Sequence, residues 1–348
     1  MKKLFVLLLA LAVVTGAFAQ VTTAISLSGG VKLIDQDGWS AFEQDGANYD
    51  VLTFKATSED GYGFSISDAD ILGGGIVVRD WNVWFNLFDG KAKFIAGNLR
   101  NGDFRMLLPV GKTTAFGATD RITGQGFILE VMPMDGLTLG LSHPVATTRK
   151  EFMPYTLKGA DIGAAYTIAD VGKVIFQLQM NQTAAFDFND NGVTTDAGES
   201  VADALVVNAG FSFTGMEGLT ANVIGKFVSS EDADASHIYV GAGALYTMDK
   251  LEILLEGCLA SKPTFLAEDD VSAPTLLGTF WDVYLRPWYT ITDNLYAYAP
   301  ITFNQDSVFT AKAVVGYDFL NGLQFEVGGG IADEEVVADV YFWYSVAF

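Results

Sequence analysis

The chain has 348 residues, a formal charge of −22, and is half hydrophobic and 13% aromatic. An excess of acid this large repels nucleic acid, so DNA or RNA binding is excluded. The abundance of apolar and aromatic residues likewise argues against disorder.

The chain opens with Lys2 and Lys3, an apolar run from Leu4 to Val14, and Ala17-Phe18-Ala19 before Gln20. A short positive region, an apolar core and a small-x-small site define a secretory signal peptide, with cleavage expected after Ala19. Loss of Lys2 and Lys3 would take the charge of the mature part, residues 20–348, from −22 to −24. Mean hydropathy is positive. Yet beyond the leader no apolar run approaches the ~20 residues of a membrane helix. A closed β-barrel reconciles the two, because its strands are apolar on alternate residues only. Cys258 is the single cysteine, so no intrachain disulfide forms.

Period-two segments recur along the mature chain. Val174, Phe176, Leu178 and Met180 alternate with Ile175, Gln177, Gln179 and Asn181. Val207, Ala209, Phe211 and Phe213 alternate with polar or small residues, as do Leu323, Phe325 and Val327. Phe309 to Asp318 follows the same rule. Such alternation describes strands with one apolar and one polar face. Short turn-forming stretches join the segments in pairs: Ser58 to Gly61, Phe88 to Gly90, Pro133 to Gly136, Ala169 to Gly172, Gly215 to Gly218, Met248 to Lys250, Thr292 to Asn294 and Leu320 to Gly322. Asp-Gly and Asn-Gly supply the backbone conformations of tight hairpins.

Longer polar stretches separate the hairpins, among them Asp35 to Asn48, Asp68 to Val78, Arg100 to Ile122, His143 to Leu157 and Asn181 to Ala202. The alternation of short and long connections predicts an all-β, closed antiparallel transmembrane barrel of about 18 strands, or 16 if a weak early pair is a folded loop. Two soluble sandwiches would need more charge on the outer strand faces than these segments carry.

The last segment carries Val340, Phe342, Tyr344, Val346 and Phe348 on one face. Here the sequence resembles bacterial outer-membrane barrels, with porins nearest in strand count. The resemblance implies that this strand is the recognition signal for the barrel-assembly machinery. An unpaired amphipathic strand suits that role, since its backbone groups can pair with another sheet edge. Trp81, Phe85, Trp281, Trp288, Tyr289, Tyr296, Tyr298 and Trp343 fall near strand ends and are expected to form interfacial girdles.

The alternation also assigns an inward set. Lys32, Lys55, Lys91, Lys93, Lys173, Lys226, Arg286 and Lys312 are its cations. Glu130, Asp161, Glu252, Glu256, Asp282, Asp318, Glu326 and Asp339 are its acids. Facing lipid, each would cost about 2–4 kcal/mol near the midplane. In the Arg100 to Ile122 connection, Arg100, Arg105, Lys112 and Arg121 outnumber Asp103 and Asp120. General porins often fold their third external loop into the channel. By that positional resemblance, these cations would face wall acids across a constriction; an external cap or an extra hairpin is the alternative.

Asp187, Asn189 and Asn191 precede Gly192 with the alternate spacing of a calcium loop. Gly198 holds the position where Glu is wanted, and Glu199 comes one later. Calcium in an external loop therefore stands beside an ordinary acidic loop. No other cofactor is expected. His143 and His237 are the only histidines. Ser142 beside His143 points to the opposite strand face, so no catalytic pair forms and no enzyme is expected.

The expected function is passive diffusion of small hydrophilic solutes or ions through an outer-membrane channel. The resemblance implies outer-membrane lipid as surroundings and allows a homo-trimer. The alternative is a surface protein whose acidic loops bind a partner on a barrel scaffold.

Overall fold

The computed structural model describes residues 21–35, 38–44, 51–70, 77–78, 81–111, 118–120, 122–144, 160–185, 201–230, 236–262, 278–305, 308–319, 322–332 and 335–347. All regular structure among them is β. The first elements are β1 (Val21–Asp35), β2 (Gly38–Gln44), β3 (Val51–Ser58), β4 (Tyr62–Asp70), β5 (Val77–Val78), β6 (Trp81–Leu87) and β7 (Ala92–Asn101). Then come β8 (Ile122–Met134), β9 (Leu137–Pro144), β10 (Asp161–Ile168), β11 (Gly172–Ala185), β12 (Val201–Met216), β13 (Leu219–Ser230) and β14 (His237–Met248). The chain finishes with β15 (Leu251–Lys262), β16 (Gly278–Thr290), β17 (Leu295–Tyr298), β18 (Ile301–Asn304), β19 (Phe309–Phe319), β20 (Leu323–Ala332) and β21 (Glu335–Ala347).

These 21 segments make 18 wall strands. β2 and β3 lie end to end along β1, β5 and β6 along β4, and β17 and β18 between β16 and β19. The last break falls at Ala299-Pro300, where proline has no N–H to give the ladder. The ladder continues across it: Ala299 N–H donates to Pro287 O at 3.0 Å and Lys312 N–H to Pro300 O at 3.1 Å. Wall neighbours are all antiparallel. The ring closes because β1 pairs β3 through Val21–Ser28 and β21 through Ser26–Ile34. Each of the 18 wall strands therefore has a partner on both sides, as a spanning sheet requires.

Seven of the eight short connections sit at the expected turns, and of the eighth the structure describes Gly322. Left-handed backbone occurs at Gly61 (φ 82°), Phe88 and Asp89 (both 54°), Gly90 (82°), Gly136 (79°), Asp170 (59°), Gly218 (75°), Asp249 (50°) and Gly322 (81°). The expected long loop from Asp35 to Asn48 is corrected. Gly38–Gln44 folds back on β1, with Ile34 opposite Trp39 and Val31 opposite Gln44. β1 outruns β3, and β2 satisfies its remaining backbone groups. Likewise β4 runs on to Asp70, where Val77 and Val78 pair with it.

Register assigns faces. Leu129, Leu141, Ile162, Phe176, Phe211, Val223, Val240, Leu255, Val283, Val315 and Val327 form an exposed apolar outer surface. Buried residues on the other face of these strands include Glu130, Gln177, Asn208, Asn222, Glu256 and Asp282. Ser142 lies on the inner face of β9, whereas His143 stacks on Phe127 outside, at 5.7 Å between centroids. Leu255, 52% exposed in mid-strand, is a sensitive probe of the outer face. Leu255→Arg is expected to lower stability in lipid vesicles by about 2–4 kcal/mol in a denaturant titration. A change within experimental scatter would mean that this face does not meet hydrocarbon.

Candidate functional site

The described residues of the connection between β7 and β8, 102–111 and 118–120, lie inside the barrel. They begin as a narrow hairpin. Thr119 N–H donates to Met106 O at 2.9 Å, Met106 N–H to Thr119 Oγ1 at 2.8 Å, and Leu107 bridges Ala118. Phe104, Met106 and Leu108 are buried, while Leu107 between them is 49% exposed. One face of the hairpin therefore rests on the wall and the other looks into the lumen.

The wall is shaped to take it. On the inner faces of adjacent strands, Gly140 of β9 lies opposite Gly163 of β10. A Cβ on either would stand within 2.4 Å of the Phe104 ring, so only glycine leaves that seat open. Gly210 of β12 gives way similarly to Met106, and Gly243 of β14 to Pro109. Apolar residues interrupt the polar face in one register row. Ile175 is opposite Gly210, Gly210 opposite Ile224, Ile224 opposite Gly241, and Gly241 opposite Cys258. Ile175, Ile224 and Cys258 join Ile95, Ile128 and the three loop residues in one buried cluster. This dry patch removes apolar surface from lumen water, a favourable transfer of about 25 cal/mol per Å².

Polar contacts fasten the loop around the patch. Asn101 donates to Glu130 at 3.1 Å on β8. Lys173 of β11 donates to Asp103 O at 3.3 Å. Lys226 of β13 pairs with Asp120 at 2.9 Å, and Asn222 donates to Leu107 O at 2.7 Å. Glu256 of β15, 1% exposed, accepts from the backbone N–H groups of Val110 at 2.6 Å and Gly111 at 2.9 Å. Both bonds take up backbone N–H groups that the loop itself leaves unpaired. The seats and bonds span eight consecutive strands, β8 to β15.

The wall residues named from sequence fall as follows. Lys93 and Glu130 lie 3.8 Å apart, Arg286 and Glu252 4.0 Å apart, and Lys312 is ion-paired with Asp339. Lys55 stands 5.5 Å from the Trp84 ring centre. Asp282 accepts from the Cys258 thiol at 2.6 Å. Glu326 accepts from Tyr296, Tyr298 and Trp343. Lys32 is known by register only, opposite Tyr341. Lys91 is corrected: it lies exposed in the turn after Phe88, because β7 starts at Ala92.

Of the four loop cations expected to face wall acids, the structure describes the side chain of Arg105 alone. Arg105 Nε donates to Thr119 O at 3.0 Å and holds the hairpin to itself. Two of the contacts across to the wall are made with lysines: Lys173 meets the Asp103 backbone carbonyl and Lys226 the Asp120 carboxylate. Arg100 pairs by backbone with Thr123. Lys112, Arg121 and the Arg100 side chain lie outside the described residues, as do Asp187, Asn189, Asn191, Glu199 and Phe348. Val340, Phe342, Tyr344 and Val346 pair with Val327, Phe325, Leu323 and Leu27.

Four expected girdle aromatics face the lumen instead. Trp288 stacks on Tyr296 at 4.3 Å and on Tyr298 at 4.7 Å, and Trp343 on Tyr341 at 5.4 Å. Their parity was readable, since Trp288 is two residues from the inward Arg286. Trp81, Phe85 and Tyr289 are on the outer face, each more than 40% exposed.

Cys258 reports on the clasp, being 6% exposed within the cluster the loop covers. Glu256→Ala leaves two loop N–H groups without their acceptor. Labelling of Cys258 by a charged methanethiosulfonate should then quicken about tenfold or more. Glu252→Ala, which leaves the loop contacts intact, should label as the wild type does. Equal rates for all three proteins would show that Glu256 does not hold the loop.

No protein-family model matches the chain, and no curated protein matches it by sequence. Solved structures do. OpdK, an outer membrane protein from Pseudomonas aeruginosa, has a TM-score of 0.51 at 10% identity, covering 95% of this chain and 100% of its own. OpdQ of the same organism gives 0.52 at 11%, covering 94% and 98%. OccK10 (OpdN), also from Pseudomonas aeruginosa, gives 0.52 at 10%, covering 94% and 99%. At such identities the likeness is one of fold, and the fold of this chain is that of a porin-like outer-membrane β-barrel.

Proposed function

We propose that the protein is a channel of a bacterial outer membrane, passing small hydrophilic solutes or ions by diffusion past the loop at Asn101–Ile122. The observation that carries this reading is a closed ring of 18 wall strands, polar within and apolar without, with a loop clasped inside it. A ring of 16–18 strands is wide enough to enclose an aqueous passage. A loop on one side of the lumen narrows the passage, and its fixed contacts with β8 to β15 give the narrowing a definite shape.

The same reading includes export through cleavage after Ala19 and membrane assembly through β21 and the Phe348 that follows it. The fold likeness and the outward apolar stripe support it. A homo-trimer is compatible with the apolar outer face.

Purified protein in planar bilayers should give discrete ohmic steps. Deleting residues 104–109 should raise the unit conductance. A correctly folded barrel that stays silent would defeat the channel and favour a scaffold that binds through its external loops. Deleting Phe348 should reduce heat-modifiable barrel in the membrane fraction. Undiminished yield would remove the assembly role.

A further inference from the structure

The lumen side away from the loop carries an arrangement that wall solvation does not require. Glu326 of β20 accepts a hydrogen bond from Tyr296 Oη at 2.9 Å, from Tyr298 Oη at 3.2 Å and from Trp343 Nε1 at 3.3 Å. The donors come from β17 and β21, on either side of β19 and β20. Trp288 lies across both tyrosine rings with interplanar angles of 16° and 9°. Tyr341 stacks on Trp343 at 17°. Gly316, opposite Tyr296 in register, is what lets that ring lie flat, since a Cβ there would stand 2.2 Å from it. The result is one carboxylate set among five aromatic rings close to the short-turn end of the barrel.

Among the described residues, the hydrogen-bond donors to Glu326 are all neutral. They orient its carboxylate without cancelling its charge. A carboxylate offers about four acceptor positions, and three are taken. Tyr and Trp faces are electron-rich and attract cations within about 6 Å. The chain itself supplies an example. The Arg286 guanidinium lies 5.2 Å from the Trp288 ring centre while its Nη2 stands 4.0 Å from Glu252. Of the cations on adjoining strands, Lys312 is taken up by Asp339, and Lys32 lies opposite Tyr341 in register.

We propose that Glu326, Trp288, Tyr298, Tyr341 and Trp343 form a binding subsite in the lumen for an organic ammonium ion carrying an aromatic or apolar body. The body stacks on the half-buried rings, and the positive head is held by Glu326 and the ring faces. A neutral sugar has no charge for the carboxylate, and an anionic ring is repelled by it. The inference rests on the channel reading for its role in passage, though not for binding itself.

Two measurements keep those readings apart. In planar bilayers, benzyltrimethylammonium should interrupt the wild-type current at concentrations where benzenesulfonate and glucose do not. Glu326→Gln, which keeps the shape and an acceptor for the donors, should weaken that block about tenfold. In detergent, titrating the folded barrel with benzyltrimethylammonium should change its tryptophan emission. That change should be weakened in Glu326→Gln, checked for heat-modifiable mobility. Should Glu326→Gln fail to fold, Trp288→Leu serves in the current assay, where the readout does not depend on the ring it removes. Steps without selective block, or equal response to the sulfonate, would overturn the subsite while sparing the channel. Absent steps with a selective emission change would overturn the channel and sustain the subsite.

Discussion

Backbone hydrogen bonding around a closed ring governs everything else in this molecule. Hydrocarbon offers no partner to an exposed N–H or C=O, so a spanning sheet must leave none. β1 meets this demand on both sides, pairing β3 and β21 over overlapping residues. Once the ring is closed, each strand has only two directions for its side chains. Apolar groups such as Val223 and Leu255 go outward, and groups such as Gln177, Asn208 and Glu256 go inward. The breaks in the wall obey the same demand. At Pro300 the ladder passes through Pro287 O and Pro300 O, so the missing N–H orphans no neighbour.

The inner face then does two unlike jobs. From β8 to β15 it is a seat, with glycines where ring and thioether approach, an isoleucine row, and carboxylate, amide and lysine groups at the margin. Several acids that sequence reading assigned to the pore serve there as anchors. Glu256 binds loop backbone, and Glu130 binds Asn101. From β16 to β21 the face instead carries an array of aromatic rings centred on Glu326. The lumen is thus lopsided, with a loop on one side and an array of rings on the other.

This division explains why charge counting along the wall is a poor guide to the passage. Glu256 and Asp282 are each 1% exposed and present almost nothing to lumen water. The lysine and arginine heads are partly exposed even where they are paired. A residue's sign can be read from the chain, but its weight in the lumen depends on what covers it.

Period two and the eight tight turns were legible in the chain because both are local. Alternation states which residues share a face, and Asp-Gly or Asn-Gly states where the chain reverses. Trp288 was expected in a girdle although its spacing to the inward Arg286 puts both on one face. What sequence alone left undecided was non-local. Whether Arg100 to Ile122 capped the barrel or entered it depended on Gly140, Gly163, Gly210 and Gly243, which lie on four different strands. Inward Ile175 and Ile224 look like lapses in a polar pattern until register sets them in one row beneath Met106. The Glu326 array likewise draws on β16, β17, β20 and β21, segments that become neighbours only when the sheet is assembled. Local pattern chose the barrel, and pairing register across the closed wall chose what lies within it.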